Sequence, residues 1–117
     1  MISAQQSASS DSPPGEVLGQ LQQWAERSGM SVNRVSPTQL DIRKGSEAAL
    51  RLKGAPFTRA EQFPVVAAVE CTTTSSGSLV KVNVLDDLGP AIRLGMKKKM
   101  QEAVDLLGRE IIAEVNS

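Results

Sequence analysis

Three places in the sequence set side chains of chemical interest close together. Asp86 and Asp87 adjoin at the end of the alternating run LVKVNVLDD. Adjacent carboxylates can share a proton or hold a hard cation, but such cations draw on more oxygen ligands, and none follows at short spacing. The simpler role is that Asp87 accepts hydrogen bonds from free backbone donors as the chain enters Leu88-Gly89-Pro90. Lys97, Lys98 and Lys99 are consecutive, with Arg93 one helical turn ahead of Lys97. Cations in the first turns of a helix oppose its macrodipole, by a few tenths of a kcal/mol to about 1 kcal/mol per site. Two readings follow. The cluster is a solvated face, with Lys98 balanced by Glu102 at the i,i+4 spacing. Alternatively, Arg93, Lys97, Lys98 and Lys99 dock an acidic protein, nucleic acid or anionic lipid. The third place is Cys71, inside an apolar run and without a basic neighbour in sequence to lower its thiol pKa. It reads as a small buried apolar residue rather than a nucleophile.

What the chain lacks narrows the chemistry further. Its 117 residues include no histidine, which excludes Ser-His-Asp and Cys-His catalysis and removes the commonest metal ligand. There is no tyrosine, and Trp24, Phe57 and Phe63 are the only aromatics, so a surface that stacks bases is poorly supplied. No phosphate-binding or dinucleotide-binding glycine pattern occurs. The expectation is therefore a protein without cofactor or metal, in which enzyme chemistry is left to carboxylates alone and no pair of them is convincingly positioned. Lys+Arg and Asp+Glu number 13 each, so any electrostatic role is local. A lone cysteine forms no internal disulfide and suits a reducing compartment. No apolar run approaches the ~18 to 20 residues of a transmembrane helix, and MISAQQSASSDSPPG lacks the basic start and apolar core of a secretory signal. A cytoplasmic location is expected.

The elements that must position these residues follow from periodicity. Residues 1–13 are rich in Ser, Gln and Ala, too poor in apolar surface to offset their ordering entropy, and are expected to be a disordered tail. Residues 14–117 form one domain. In SPPGEVLGQLQQWAERSG, Ser12 is placed to cap, the prolines suit a first turn, and Val17, Leu18, Leu21, Trp24 and Ala25 form an apolar helical stripe that Gly29 ends. Residues 30–54 read as three short strands with turns at Ser36-Pro37 and at Lys44-Gly45-Ser46. Leu40 and Ile42 alternate with Asp41 and Arg43, and Leu50 and Leu52 with Arg51 and Lys53. Thr58 to Glu61 matches a capping box. A long strand begins near Val65, and Val80, Val82 and Val84 face the core in the next, which leaves Lys81 on the solvent side. Arg43, Arg51, Lys53 and Lys81 would then share that outer face with Asp41 and Glu70, as charge pairs or as a phosphate-tracking surface. From residue 90 to 115, Ile92, Met96, Met100, Ala103, Leu107, Ile111 and Val115 recur at spacings of three and four. The expected fold class is α+β: an antiparallel sheet of about five strands, covered on one face by a short N-terminal helix and a long C-terminal helix.

The strand GSLVKVNV, the loop DDLGP and the basic start of the closing helix resemble the C-terminal part of helix-grip domains, the START-like or polyketide-cyclase-like superfamily. The resemblance spans residues 63–115. It implies a curved antiparallel sheet that grips the terminal helix, often with a cavity between them. It also implies a strand ahead of paired helices, for which the serine-rich segment offers no counterpart. On this reading the protein is a non-enzymatic binding module that holds a small apolar ligand or a protein partner between sheet and helix. Trp24, Phe63, Met96 and Met100 would line the contact, although methionines at helical spacing are also ordinary core filler. The sequence does not define the oligomeric state.

Overall fold

The computed structural model describes residues 3–45, 64–86 and 97–117, and of Lys97 the backbone alone. Its elements are β1 (Ser3–Ser10), α1 (Pro14–Arg27), β2 (Ser31–Ser36), β3 (Gln39–Lys44), β4 (Val65–Thr74), β5 (Gly77–Asp86) and α2 (Lys97–Val115). The five strands form one antiparallel sheet in the order β1-β5-β4-β3-β2. The α+β architecture expected from the sequence is present. The strand expected at Leu50 and Leu52 and the capping box at Thr58 to Glu61 lie outside the described residues.

Among the described residues the fifth strand is β1, drawn from the segment expected to be a disordered tail. That expectation weighed side-chain apolar area alone. In the sheet, the β1 main chain pairs with β5 from Ser3↔Leu85 to Ser10↔Ser78, so the ladder satisfies backbone groups whatever the side chains are. Ala4, Gln6 and Ala8 turn to the helix-covered face and are half-buried, while Ser3, Gln5, Ser7 and Ser9 are exposed. α2 comes close here because Gly108 leaves room for the Gln6 side chain. A Cβ at Gly108 would stand 2.7 Å from the Gln6 amide, and Gln101 Nε2 donates to the Ser3 carbonyl at 3.5 Å.

α1 starts differently from the sequence expectation. Pro13, extended at φ −68° and ψ 159°, occupies the N-cap and makes no side-chain cap bond. Ser12 instead ties the connection to the sheet, its carbonyl accepting a 2.6 Å hydrogen bond from Ser78 Oγ on β5. The other end behaves as Gly29 foretells. Gly29 adopts φ +80°, and Met30 N–H returns to the Ala25 carbonyl at 2.9 Å.

The core lies between the sheet and both helices. Val17, Leu18, Leu21 and Ala25 of α1 meet Leu40 and Ile42 of β3 and the Val65-Ala67-Val69-Cys71 face of β4. Met100, Ala103, Val104, Leu107, Ile111 and Val115 of α2 complete it over Val80, Val82 and Val84. α1 covers mainly the β2–β4 side, and α2 runs along β1 and β5. Besides the bond from Gln101 to Ser3, polar ties between α2 and the rest include Lys44 Nζ to Glu110 Oε1 at 2.8 Å and Gln20 Nε2 to the Glu114 carbonyl at 2.8 Å.

Candidate functional site

The residues expected to line an apolar site divide into three groups. Met100 is fully buried in the core, and Trp24 packs half-buried at its edge. Phe63 and Met96 lie outside the described residues. Around Met100 the α2–sheet interface is filled by the protein's own side chains, since Val104, Leu107 and Ile111 are also 0% exposed.

Of the basic set, Arg93 lies outside the described residues, as do Asp87, Arg51 and Lys53. Lys98 is exposed and Lys99 half-buried near the start of α2. Arg43 is exposed on the outer face of β3, where it is paired, and Asp86 is buried with a partner of its own. Among the described residues no group of three or more Cys, Asp or Glu side chains is placed to hold a metal ion, and no helix is long and apolar enough to cross a membrane.

Cys71 sits on the core face of β4, 1% exposed. Burial pushes its thiol up from 9.0 to about 11, against a lowering influence of Arg34 and with a small further rise from Glu70. The physical consequence is the opposite of nucleophile activation. Native protein at pH 8 is expected to resist a thiol reagent and to react fully once unfolded in guanidinium chloride. Because the folded pKa is raised above the unfolded one, the folded state keeps its stability below pH 9.0 and loses part of it as pH rises toward about 11. Rapid labelling of the native chain would place Cys71 somewhere other than the core.

The opposite face of the sheet holds a different arrangement. Rows across the strands set Gln5 beside Asn83 and Asn83 beside Ala68, and one step along, Ser7 beside Lys81, Lys81 beside Glu70 and Glu70 beside Gln39. Together they line an open trough of about 700 Å³ floored at Ala68. That volume lies within the range of small-molecule sites, ~300 to 1,000 Å³. Glu70 and Lys81 are directly opposite on neighbouring strands, yet no ion pair joins them, and among the described residues the side chains of Gln5, Gln39 and Asn83 make no hydrogen bond. The Asn83 Oδ1 atom is buried without a partner. A buried carbonyl oxygen left unpaired costs about 1 to 3 kcal/mol, so it is a natural acceptor for a donor brought into the trough.

Half of this site is visible in the sequence: the alternation of β4 and β5 puts Glu70 and Lys81 on the outer face. Gln5 and Ser7 belong to the segment read as a tail, and nothing in sequence links them to Asn83. The only signal is the polar residue at every second position of LVKVNV, the pattern of a strand with one face turned away from the core.

Comparison with known proteins adds the fold and no more. No protein-family model matches the chain, and no curated protein does. Among solved structures, it is similar to the X-ray crystal structure of protein MLL2253 from Mesorhizobium loti. The TM-score is 0.63 over 97% of this chain and 93% of that one, at 10% sequence identity. At that identity the likeness is one of architecture, the helix-covered antiparallel α+β sheet.

Proposed function

We propose that the protein is a non-enzymatic binding module of helix-grip type, and that its site is the trough on the face of the sheet opposite the two helices. The observation that carries this reading is the convergence there of unpartnered polar groups from four strands: a carboxylate at Glu70, an ammonium at Lys81, and the amides of Gln5, Gln39 and Asn83. Opposite charges about one strand spacing apart, ringed by amides, complement a small zwitterion of amino-acid or dipeptide size. An apolar ligand between α2 and the sheet is less well supported, because it would have to displace Met100, Leu107 and Ile111 from full burial. The helix-grip part of the proposal draws support from a terminal helix that runs along β1 and β5, and from a strand ahead of the first helix.

Titration of isotope-labelled protein with a panel of free amino acids and dipeptides tests this. At about 10 mM, a compound with Kd near 1 mM would be roughly nine-tenths bound. The side-chain amide signals of Gln5, Gln39 and Asn83 are expected to shift together with at least one compound. Lys81→Gln and Glu70→Gln should each weaken that response about tenfold or more, from loss of a charge-assisted contact. A panel that moves none of the three amides, or shifts that survive both substitutions, would sink the reading.

A further inference from the structure

The two edges of the sheet are not alike. β2 ends one edge, and it is guarded in several ways: six residues long, a register shift between Arg34 and Ser36, a charge at Arg34, and Pro37 directly after it. Such features are the usual means by which an edge refuses further strands. β1 ends the other edge with none of them. Its eight residues, SAQQSASS, contain no charge, proline or glycine, and it pairs with β5 without a register shift. Among the described residues, the only hydrogen bond to its main chain from outside the β1–β5 ladder is the one from Gln101 to the Ser3 carbonyl. A regular, uncharged edge of this length is a template for one more strand.

We infer that the occupant is β1 of a second copy of this chain, paired antiparallel about a two-fold axis to make a continuous ten-stranded sheet. Three observations favour a second copy over an unrelated strand. First, a register centred on Gln6 keeps each side chain on its own face: Ala4 meets Ala8 of the other copy on the helix side, and Gln5 meets Ser7 on the outer side. No like charges oppose anywhere along the strand. Second, α2 lies along β1 and β5. With strands ~4.8 Å apart, its axis is roughly 5 Å from the dyad, so the two α2 helices would lie ~10 Å apart, close to an ordinary helix packing distance. Third, the α2 flank on the β1 side, fixed by Gly108 against Gln6, carries half-buried Asp105 and Ile112 with exposed Arg109 beside them. Antiparallel copies set Asp105 of one near Arg109 of the other. The pairing also reaches the trough, because Gln5 and Ser7 wall it at the sheet edge and the second copy would continue that wall.

Sedimentation equilibrium at ~100 μM, where even a micromolar dimer is mostly assembled, is expected to give twice the 12.5 kDa chain mass. Gln5→Lys with Ser7→Lys sets lysines directly opposite each other at the seam on the exposed face and should weaken the dimer at least ~10-fold. Gln5→Glu with Ser7→Lys makes the same positions complementary and should restore it, with far-UV circular dichroism of both variants matching the wild type. Three results would each overturn the inference: a monomeric wild type, a dimer indifferent to the lysines, or no rescue by the Glu/Lys pair. Indifference would direct attention to the other edge, where Val35 is 50% exposed.

Discussion

Gly77→Ala is expected to destabilise the fold by at least about 3 kcal/mol, although it adds a single methyl group. Gly77 opens β5 at φ +144°, a conformation that L side chains rarely adopt, and such backbone strain costs on the order of 1 to 3 kcal/mol. The larger effect is steric. A Cβ there would overlap the Ser10 carbonyl oxygen and stand 2.7 Å from the Asp11 carbonyl carbon, both main-chain atoms. Neither can step aside without moving the β1–α1 connection, which the bond from Ser78 Oγ to the Ser12 carbonyl holds against this turn. The methyl group would therefore strain its own turn and lever β1 off the edge of β5. Gly19→Ala is the control: it lies within α1 with nothing inside 4 Å of the added carbon, and should stabilise by roughly 0.5 to 1 kcal/mol through helix propensity. Chemical denaturation of the two variants checks both signs. A Gly77→Ala loss under ~1 kcal/mol would mean that the connection does not cross so close to the turn.

That close crossing also explains why β1 is the element least legible in the sequence. Where one face of a strand is oily, as in Leu40 and Ile42 or in Val80, Val82 and Val84, the period of two is visible in the residues themselves, and β3 and β5 sit where it puts them. The stripe on α2 is equally plain, and its predicted members from Met100 to Val115 are all buried. In SAQQSASS the face that meets the core is Ala4, Gln6 and Ala8, which no hydropathy pattern separates from Ser3, Gln5 and Ser7. Its strand state comes from the neighbour. β5 offers an edge to pair with, and α2 at Gly108 leaves room for the Gln6 side chain between the small Ala4 and Ala8. The trough inherits the same blindness, because its wall at Gln5 and Ser7 exists only once β1 is docked. A site assembled from polar residues on strands distant in sequence leaves no spacing to read. The buried Asn83 oxygen becomes conspicuous only when its surroundings are known.

The adjoining leucines of α2 give the sharpest measure of how much the domain depends on that helix. Leu107→Ala is expected to cost about 2 to 5 kcal/mol, and Leu106→Ala about 1 kcal/mol or less. The two residues are chemically identical and one position apart, so helix propensity cancels between them and burial alone decides. Leu107 is 0% exposed, in the same cluster as Val80, Val82 and Val84 of β5, and its loss leaves a cavity that rigid β-branched strand residues cannot collapse to fill. Leu106 is only half-buried, on the helix flank that also carries Glu110, so less packed volume is lost when it is shortened. For a domain whose total stability is of order 5 to 15 kcal/mol, the first change removes a large fraction and the second is nearly silent. Thermal and urea unfolding of the pair decide the point. Similar losses in both variants would mean that α2 is rotated away from the face that Met100, Leu107 and Ile111 define. With that rotation would go the flank of Asp105, Arg109 and Ile112 on which the dimer contact depends.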